Sequence, residues 1–282
     1  MSFKIGAAAW GFRELPLEEQ LKMCRELGIR SLELGIANAP DDLPEDASDE
    51  QIQEVVRLYQ KYEMELNCAA TGNDFTCGTR EDVLVQIEKI KHVITICQKA
   101  KISCLRIFAG FSPVAEVTGE RWDHLIMALN AVAEYAEKCG VTLAVETHGG
   151  VNGFEDGVEH FASVSTEVET LQKMLSEIRE NIRFVFDPAN LAAVGHEDLK
   201  ELYELLKDRI AYMHAKNFIR LSSGHLDQAA VEKGVLNWET FMKQCSDYSG
   251  EMLVEYEKPE TIYEGTLESI RSLENLGGLK NE

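Results

Sequence analysis

The chain has little of what marks a secreted, membrane-embedded or nucleic-acid-binding protein. No run of about eighteen or more apolar residues appears, which argues against a helical membrane span. The opening "MSFKIGAAAWGF" has neither a long apolar core nor a charged segment before it, and does not read as a secretory signal. The seven cysteines (24, 68, 77, 97, 104, 139, 245) are odd in number and include no CxxC pair. That usage fits reduced thiols in a cytoplasmic protein better than a disulfide framework. Basic residues are outnumbered, 28 Lys and Arg against 49 Asp and Glu, and no basic cluster offsets the net charge of −21. A field of that sign works against nucleic acid and anionic membrane surfaces as partners. Finally, no Pro/Ser-rich linker, low-complexity segment or composition break divides residues 1–282, so a single domain is expected.

What is present is an alternation. Eight short apolar runs, "KIGAAAW" (4–10), "SLELGI" (31–36), "ELNCAA" (65–70), "CLRIFAG" (104–110), "TLAVET" (142–147), "RFVFDP" (183–188), "IAYMHA" (210–215) and "MLVEYE" (252–257), read as strands. Amphipathic stretches such as "VLVQIEKIKHVITICQKA" and "HLIMALNAVAEYAEKC" separate them and read as helices. Ser48 with Gln51, and Thr166 with Glu169, have capping-box spacing ahead of apolar-periodic segments. "RELGIRSLEL" and "EKCGVTLAVE" share a helix–glycine–strand join, with basic residues in the last helical turn. Eight units of roughly 35 residues predict the α/β class and a single (β/α)8 TIM barrel, typically about 250 residues long. A doubly wound open sheet would favour a glycine-rich phosphate loop after the first strand, and "AAAWGF" is not one.

Four of these strands end alike. Alternate side chains of a barrel strand point inward, and the carboxyl ends surround the site. Glu146, Asp187, His214 and Glu255 end the fifth to eighth runs and are expected on one rim. A lone Glu or His at a strand end is more often a solvated loop residue or a cap. Four in successive strands form a different pattern. Like charges held together in a pocket of low dielectric drive each other to protonate unless a cation compensates them. Oxygen-rich ligation without thiolate favours Mn²⁺, Mg²⁺ or Co²⁺, with Zn²⁺ also possible.

"LAVETHGG", "FVFDPANL", "YMHAKNF" and "MLVEYE" resemble the strand-end motifs of the xylose isomerase-like TIM-barrel superfamily, which includes sugar isomerases, epimerases and the AP endonuclease 2 barrels. The resemblance implies one divalent ion per chain, Mn²⁺ first, held by Glu146, Asp187, His214 and Glu255. It implies that Glu146 and Glu255 double as acid–base groups on opposite faces of the substrate, with Glu257 the alternative to Glu255 if the strand register differs. His148 and Lys216 match positions that commonly contact substrate. Asn190 stands where many of these epimerases have histidine, which puts the substrate contacts in doubt.

Such parts predict sugar or sugar-phosphate isomerisation or epimerisation. A metal chelating a carbonyl and its neighbouring hydroxyl stabilises an enediolate, and the carboxylates move the proton. The same parts could expel water, so a dehydratase acting on an inositol or keto-acid substrate is the alternative. Glu33 and Arg106 should point into the barrel, where a structural ion network is favoured over contact with substrate. Trp10, His225 and Trp238 are candidates for a sugar face or for packing a loop, and Lys216, Arg220 and Arg106 for a phosphate. Residues 217–234 are long enough to cover the site. His92 and His124, in helical stretches, read as surface or core residues, and Cys68 and Cys104 as core. An apurinic-site endonuclease needs more histidines at strand ends than the seven here offer. A non-catalytic sugar sensor would have been favoured by loss of the four ligands. The expected partner is a small carbohydrate, with a homo-oligomer compatible.

Overall fold

The computed structural model describes residues 2–280. The chain runs through β1 (Phe3–Ala7), α1 (Leu17–Glu26), β2 (Leu34–Gly35), α2 (Asp49–Lys61), β3 (Cys68–Ala70), α3 (Arg80–Ala100), β4 (Cys104–Ile107), α4 (Glu120–Cys139) and β5 (Thr142–Glu146). A hairpin of β6 (Gly150–Phe154) and β7 (Gly157–Phe161) interrupts before α5 (Val168–Glu177), β8 (Arg183–Phe186), α6 (Pro188–Ala193), α7 (Lys200–Leu206) and β9 (Ile210–Ala215). A second hairpin, β10 (Asn217–Arg220) and β11 (Leu226–Ala229), precedes α8 (Trp238–Gln244), β12 (Glu251–Val254), α9 (Ile262–Asn275) and β13 (Gly278–Lys280).

The eight predicted strands and the unpredicted β13 pair in parallel in the order β13-β1-β12-β9-β8-β5-β4-β3-β2. The ring closes where Ala7 bridges Leu32 in parallel, with Ala7 N–H donating to Ser31 O and Glu33 N–H to Ala7 O, both at 2.9 Å. Below that closure β13 pairs with Phe3–Ile5, filling the amino-terminal gap beside β1. The fold is therefore the expected TIM barrel. The first strand is shorter than its apolar run, because Ala9 N–H turns aside to the Glu33 carboxylate at 3.2 Å and Ala9–Phe12 wind into a 3-10 turn.

Strand parity builds two cores. Leu143, Val145, Phe184, Phe186, Met213 and Val254 face outward onto the helices. Ala8, Cys68, Ala144, Val185, Tyr212 and Leu253 pack against one another on the axis. The helices end as their sequences direct: Ser48 and Gln51 close a reciprocal capping box, and Gly140 takes the left-handed conformation (φ 70°) after α4. Thr166 departs from its expected role. Its hydroxyl exchanges hydrogen bonds with the Ser163 backbone, and α5 begins at Val168 without a side-chain cap.

The covering segment also differs from expectation. Instead of a loop, residues 217–229 form a hairpin that joins the unpredicted 150–161 hairpin in an antiparallel sheet ordered β10-β11-β7-β6. Leu226 pairs with Val158 across the two hairpins. No helix of the described residues is long and apolar enough to cross a membrane.

Candidate active site

The inward register that carries Ala144, Val185, Tyr212 and Leu253 continues two residues later to Glu146, Asp187, His214 and Glu255, all buried. One ligand atom from each of these four lies within 4.8 Å of the others. His214 Nδ1 sits 3.3 Å from Glu146 Oε1, 3.5 Å from Glu255 Oε2 and 3.7 Å from Asp187 Oδ2.

Each group is braced. Arg106 Nε lies 3.3 Å from Glu146 Oε2, and its Nη1 donates to Thr71 O. Asn190 Nδ2 donates to Glu146 Oε1 at 3.2 Å, while its backbone N–H donates to Asp187 Oδ1 at 2.9 Å. Lys216 Nζ reaches Glu255 at 2.6 Å, Glu257 at 2.9 Å and Asp187 at 3.1 Å. Glu255 and Glu257 thus both face the cavity, sharing one lysine. Deeper in, Glu33 accepts from Tyr212 Oη at 2.5 Å and completes a structural polar network.

Burial opposes every charge here, and the neighbours decide the outcome. Burial would raise the Glu146 carboxyl, but the charges of His214 and Arg106 hold it well below the usual range. Asp187 is likewise held low, by Lys216 and His214 against burial. Burial wins at Glu255, which is pushed up to about 7 despite His214 and Lys216. His214 and Lys216 are raised well above their ordinary values, the surrounding carboxylates overcoming burial in both. A bound cation would favour the charged carboxylates and a neutral imidazole. The residues fit one: both ring nitrogens of His214 are buried without a hydrogen-bond partner, and Asp187 Oδ2 is buried with the Lys216 ammonium, at 3.1 Å, beside it. A donor set of three carboxylates and one imidazole suits a divalent cation.

Glu146 and Glu255 line a cavity of about 440 Å³, with Asp187 and His214 buried behind them. Trp10, His148, Asn190 and Lys216 line it, whereas Arg220 does not. Arg220 is exposed on β10, where its Nη1 donates to Gly224 O. His225 stays in the turn of the covering hairpin, just before β11, stacked on Phe154 at 4.1 Å and bonded to Asp156 at 2.6 Å. Trp238 is buried beneath, its Nε1 donating to Lys216 O. His92 is exposed and His124 half-buried, both on helices.

The sequence reading missed Phe108, Phe111, His160 and Phe218, which line the upper cavity. Two were within reach: Phe108 and Phe218 each follow an inward residue, Arg106 and Lys216, by two positions. His160 needed the hairpin. The glycines of "THGG" explain how that hairpin leaves the barrel. A Cβ on Gly149 would stand 2.5 Å from Phe161 O, and one on Gly150 2.0 Å from the Phe161 ring.

A family model described as xylose isomerase-like TIM barrel matches residues 21–273. No curated protein matches the chain. Among solved structures, the IolI protein with a bound zinc atom superposes with a TM-score of 0.77 at 17% identity, covering 98% of each chain. The probable 3-DHS dehydratase AsbF of Bacillus anthracis gives 0.75 at 14%, covering 97% of this chain and 99% of that one. D-Psicose 3-epimerase of Clostridium cellulolyticum H10, with D-tagatose, gives 0.73 at 11%, covering 98% and 100%. At such identities the likeness is one of fold. With the family model spanning most of its length, the chain belongs to the xylose isomerase-like TIM-barrel family.

Proposed function

We propose that the protein is a divalent-cation-dependent carbohydrate isomerase or epimerase that moves one proton at a carbon next to a carbonyl. The observation that carries this reading is the double duty of Glu146 and Glu255, which belong to the ligand cluster and also line the cavity. Glu146, Asp187, His214 and Glu255 would hold the cation, Mn²⁺ ahead of Mg²⁺, Co²⁺ and Zn²⁺. When bound, the cation supplies Lewis-acid polarisation of a carbonyl and its neighbouring hydroxyl.

The rest of the chemistry belongs to the chain. In the ring β8 and β9 stand between β5 and β12, so Glu146 and Glu255 approach the centre from different sides. One carboxylate takes the proton from carbon, and the electron pair left behind moves onto the carbonyl oxygen. The other returns a proton to the opposite face, giving an epimer, or to the neighbouring carbon, giving an isomer. Arg106, Asn190 and Lys216 fix the two carboxylates so that little reorganisation accompanies the transfer. The covering hairpins keep bulk water from the exposed carbanion character.

A dehydratase is the second reading. It is favoured by Lys216, whose ammonium between Glu255 and Glu257 could hand a proton to a departing hydroxyl. The names of the similar folds include both an epimerase and a probable dehydratase. One experiment separates the readings. Cation-loaded protein is incubated in deuterated water with free ketoses, ketose phosphates, inososes and hydroxylated keto acids, and products are followed by NMR. Deuterium entering next to the carbonyl without loss of water is expected. Loss of water establishes the dehydratase instead, and no change in any compound with the cation bound overturns both.

A further inference from the structure

Resting on that reading, we propose that the substrate is an uncharged carbohydrate bearing a ring, whose C–H face packs on an aromatic arc above the cluster and whose distal hydroxyl meets His160. Two independent features of the cavity carry this.

The first is the arc. Phe111 contacts Phe108 (ring centroids 4.7 Å apart), both contact His148 (5.5 and 5.2 Å), His148 neighbours His160 (6.4 Å), and His160 contacts Phe218 (4.8 Å). All five rings line the cavity, and they come from four places in the chain: the β4 exit, the β5 exit, β7 and β10. Neighbouring pairs meet at steep angles, edge to face or tilted. Their assembly is a curved apolar wall, and Val158 and Leu226 extend it. A small acyclic ketose could engage the floor and leave this wall wet. A ring gives it a flat C–H face to cover. Within the wall, His160 Nδ1 is buried and unbonded. Burial and the neighbouring His148 push His160 down to about 3, so near neutral pH its imidazole is uncharged and offers one donor and one acceptor.

The second feature is charge. Glu146, Asp227, Glu255 and Glu257 line the cavity against Arg106 and Lys216. Both cations are already engaged, Arg106 by Glu146 and Lys216 by Asp187, Glu255 and Glu257. Lys258, nearby, is held by Asp227 at 2.5 Å, and Arg13 donates to the carbonyls of Trp10 and Glu257. Arg220, the sequence candidate for a phosphate, points to Gly224 O outside the cavity. A phosphate dianion would find no unengaged cationic side chain among the described residues lining the site, and would face a surplus of carboxylates.

The test measures binding by calorimetry on Mn²⁺-loaded protein, apart from turnover. The probes are scyllo-inosose and methyl β-D-glucopyranoside as neutral rings, with D-fructose 6-phosphate and D-fructose as a charged and neutral pair. At least one neutral ring should bind about ten-fold or more tightly than the phosphate ester. Phe218→Ala and His160→Gln should each weaken that ring about three-fold or more, while Mn²⁺ affinity stays unchanged. If Phe218→Ala does not fold, His160→Gln alone decides. Phosphate ester binding as tight as the rings, or ring binding indifferent to both substitutions, overturns the proposal. Deuterium exchange on a phosphorylated acyclic ketose with no ring binding would sink this inference and leave the isomerase reading standing. Binding of scyllo-inosose, the ring that carries a carbonyl, without exchange would do the reverse.

Discussion

Two layers stacked inside one barrel differ more than any two parts of its surface. The lower layer is mainly apolar: Ala144, Val185, Tyr212 and Leu253 on β5, β8, β9 and β12, with one polar contact from Tyr212 Oη to Glu33. The upper layer, two residues further along the same strands and facing the same axis, is Glu146, Asp187, His214 and Glu255. The change from oil to ions takes one pleat, about 7 Å of strand. Stability and chemistry are thereby separated along the axis while sharing the same backbone. The lower plug excludes water and anchors strands. The upper ring holds charges that no isolated pocket would tolerate, because each carboxylate has a cationic or hydrogen-bonding neighbour: Arg106, Asn190, Lys216 or His214.

The most severe way to break the comparison is to move an acid down one layer. Val185→Asp puts a carboxylate among Ala144, Tyr212 and Leu253, in a layer that already buries the Glu33 carboxylate against Tyr212 Oη. The variant should lose about 3–5 kcal/mol, the penalty of an uncompensated buried charge, or fail to fold. Urea unfolding checks it. A soluble variant of unchanged stability would show that the lower layer is wet and that the layers are not distinct.

In the upper layer the losses should be chemical. With saturating Mn²⁺ and occupancy measured, Glu146→Gln and Glu255→Gln should each cut proton exchange by about a hundredfold or more, some 2.7 kcal/mol of barrier. The amide keeps the shape and loses the proton acceptor. The two variants should differ, one blocking exchange from substrate and the other from product. Equal, mild losses with metal bound would favour a sensor over an enzyme.

Cation binding should stabilise only through the upper layer. At a hundred times its dissociation constant, Mn²⁺ should add about 2.7 kcal/mol, on the order of 5–10 °C in melting temperature. His214→Ala and Asp187→Ala should abolish most of that increment, and a chelator should reverse it in the parent protein. An undiminished shift in both variants would place the ion elsewhere.

The barrel and its rim were legible for the same reason: period-two alternation carries a residue's facing along a strand, so "TLAVE" and "RFVFD" declare both layers at once. Glu33, Arg106 and Lys216 followed the same rule, although the division of one lysine among Asp187, Glu255 and Glu257 depends on three strands meeting. Asn190, which reads as a departure at a substrate position, proves to brace Glu146 and the β8 end. The covering sheet was not read. Its strands are short, β6 is mostly exposed, and the "FEDG" turn that marks its hairpin lies in what reads as one polar stretch. Which hairpin pairs with which is set by Leu226 meeting Val158 across sixty-odd residues of chain, a contact no local pattern encodes. Arg220 lies outside the cavity, because its placement depends on which strand of that sheet turns outward.

The smallest effect probes the roof, where the covering sheet meets both layers' common axis. His160 faces His148, Lys216 and Asp187, and it is held down to about 3 against an ordinary 6.5 by burial first, then by the charges of His148 and Lys216. A histidine depressed in the folded state binds its proton mainly when unfolded. Stability therefore falls as pH drops through the unfolded value near 6.5 and levels only below the folded value near 3. Between pH 7 and 5.5 this one group should remove about 1 kcal/mol of unfolding free energy. His148, also lowered chiefly by burial, and the carboxylates below contribute their own slopes. The informative quantity is thus the difference between the parent protein and His160→Gln, each unfolded in urea with chelator present so that no cation contributes. Gln keeps a donor and an acceptor but does not titrate. The variant should show the flatter profile, by about 1 kcal/mol over that interval. Parallel profiles would mean that His160 takes up its proton in the folded state at no cost, and the roof would then be open to water in a way the ionic floor beneath it is not.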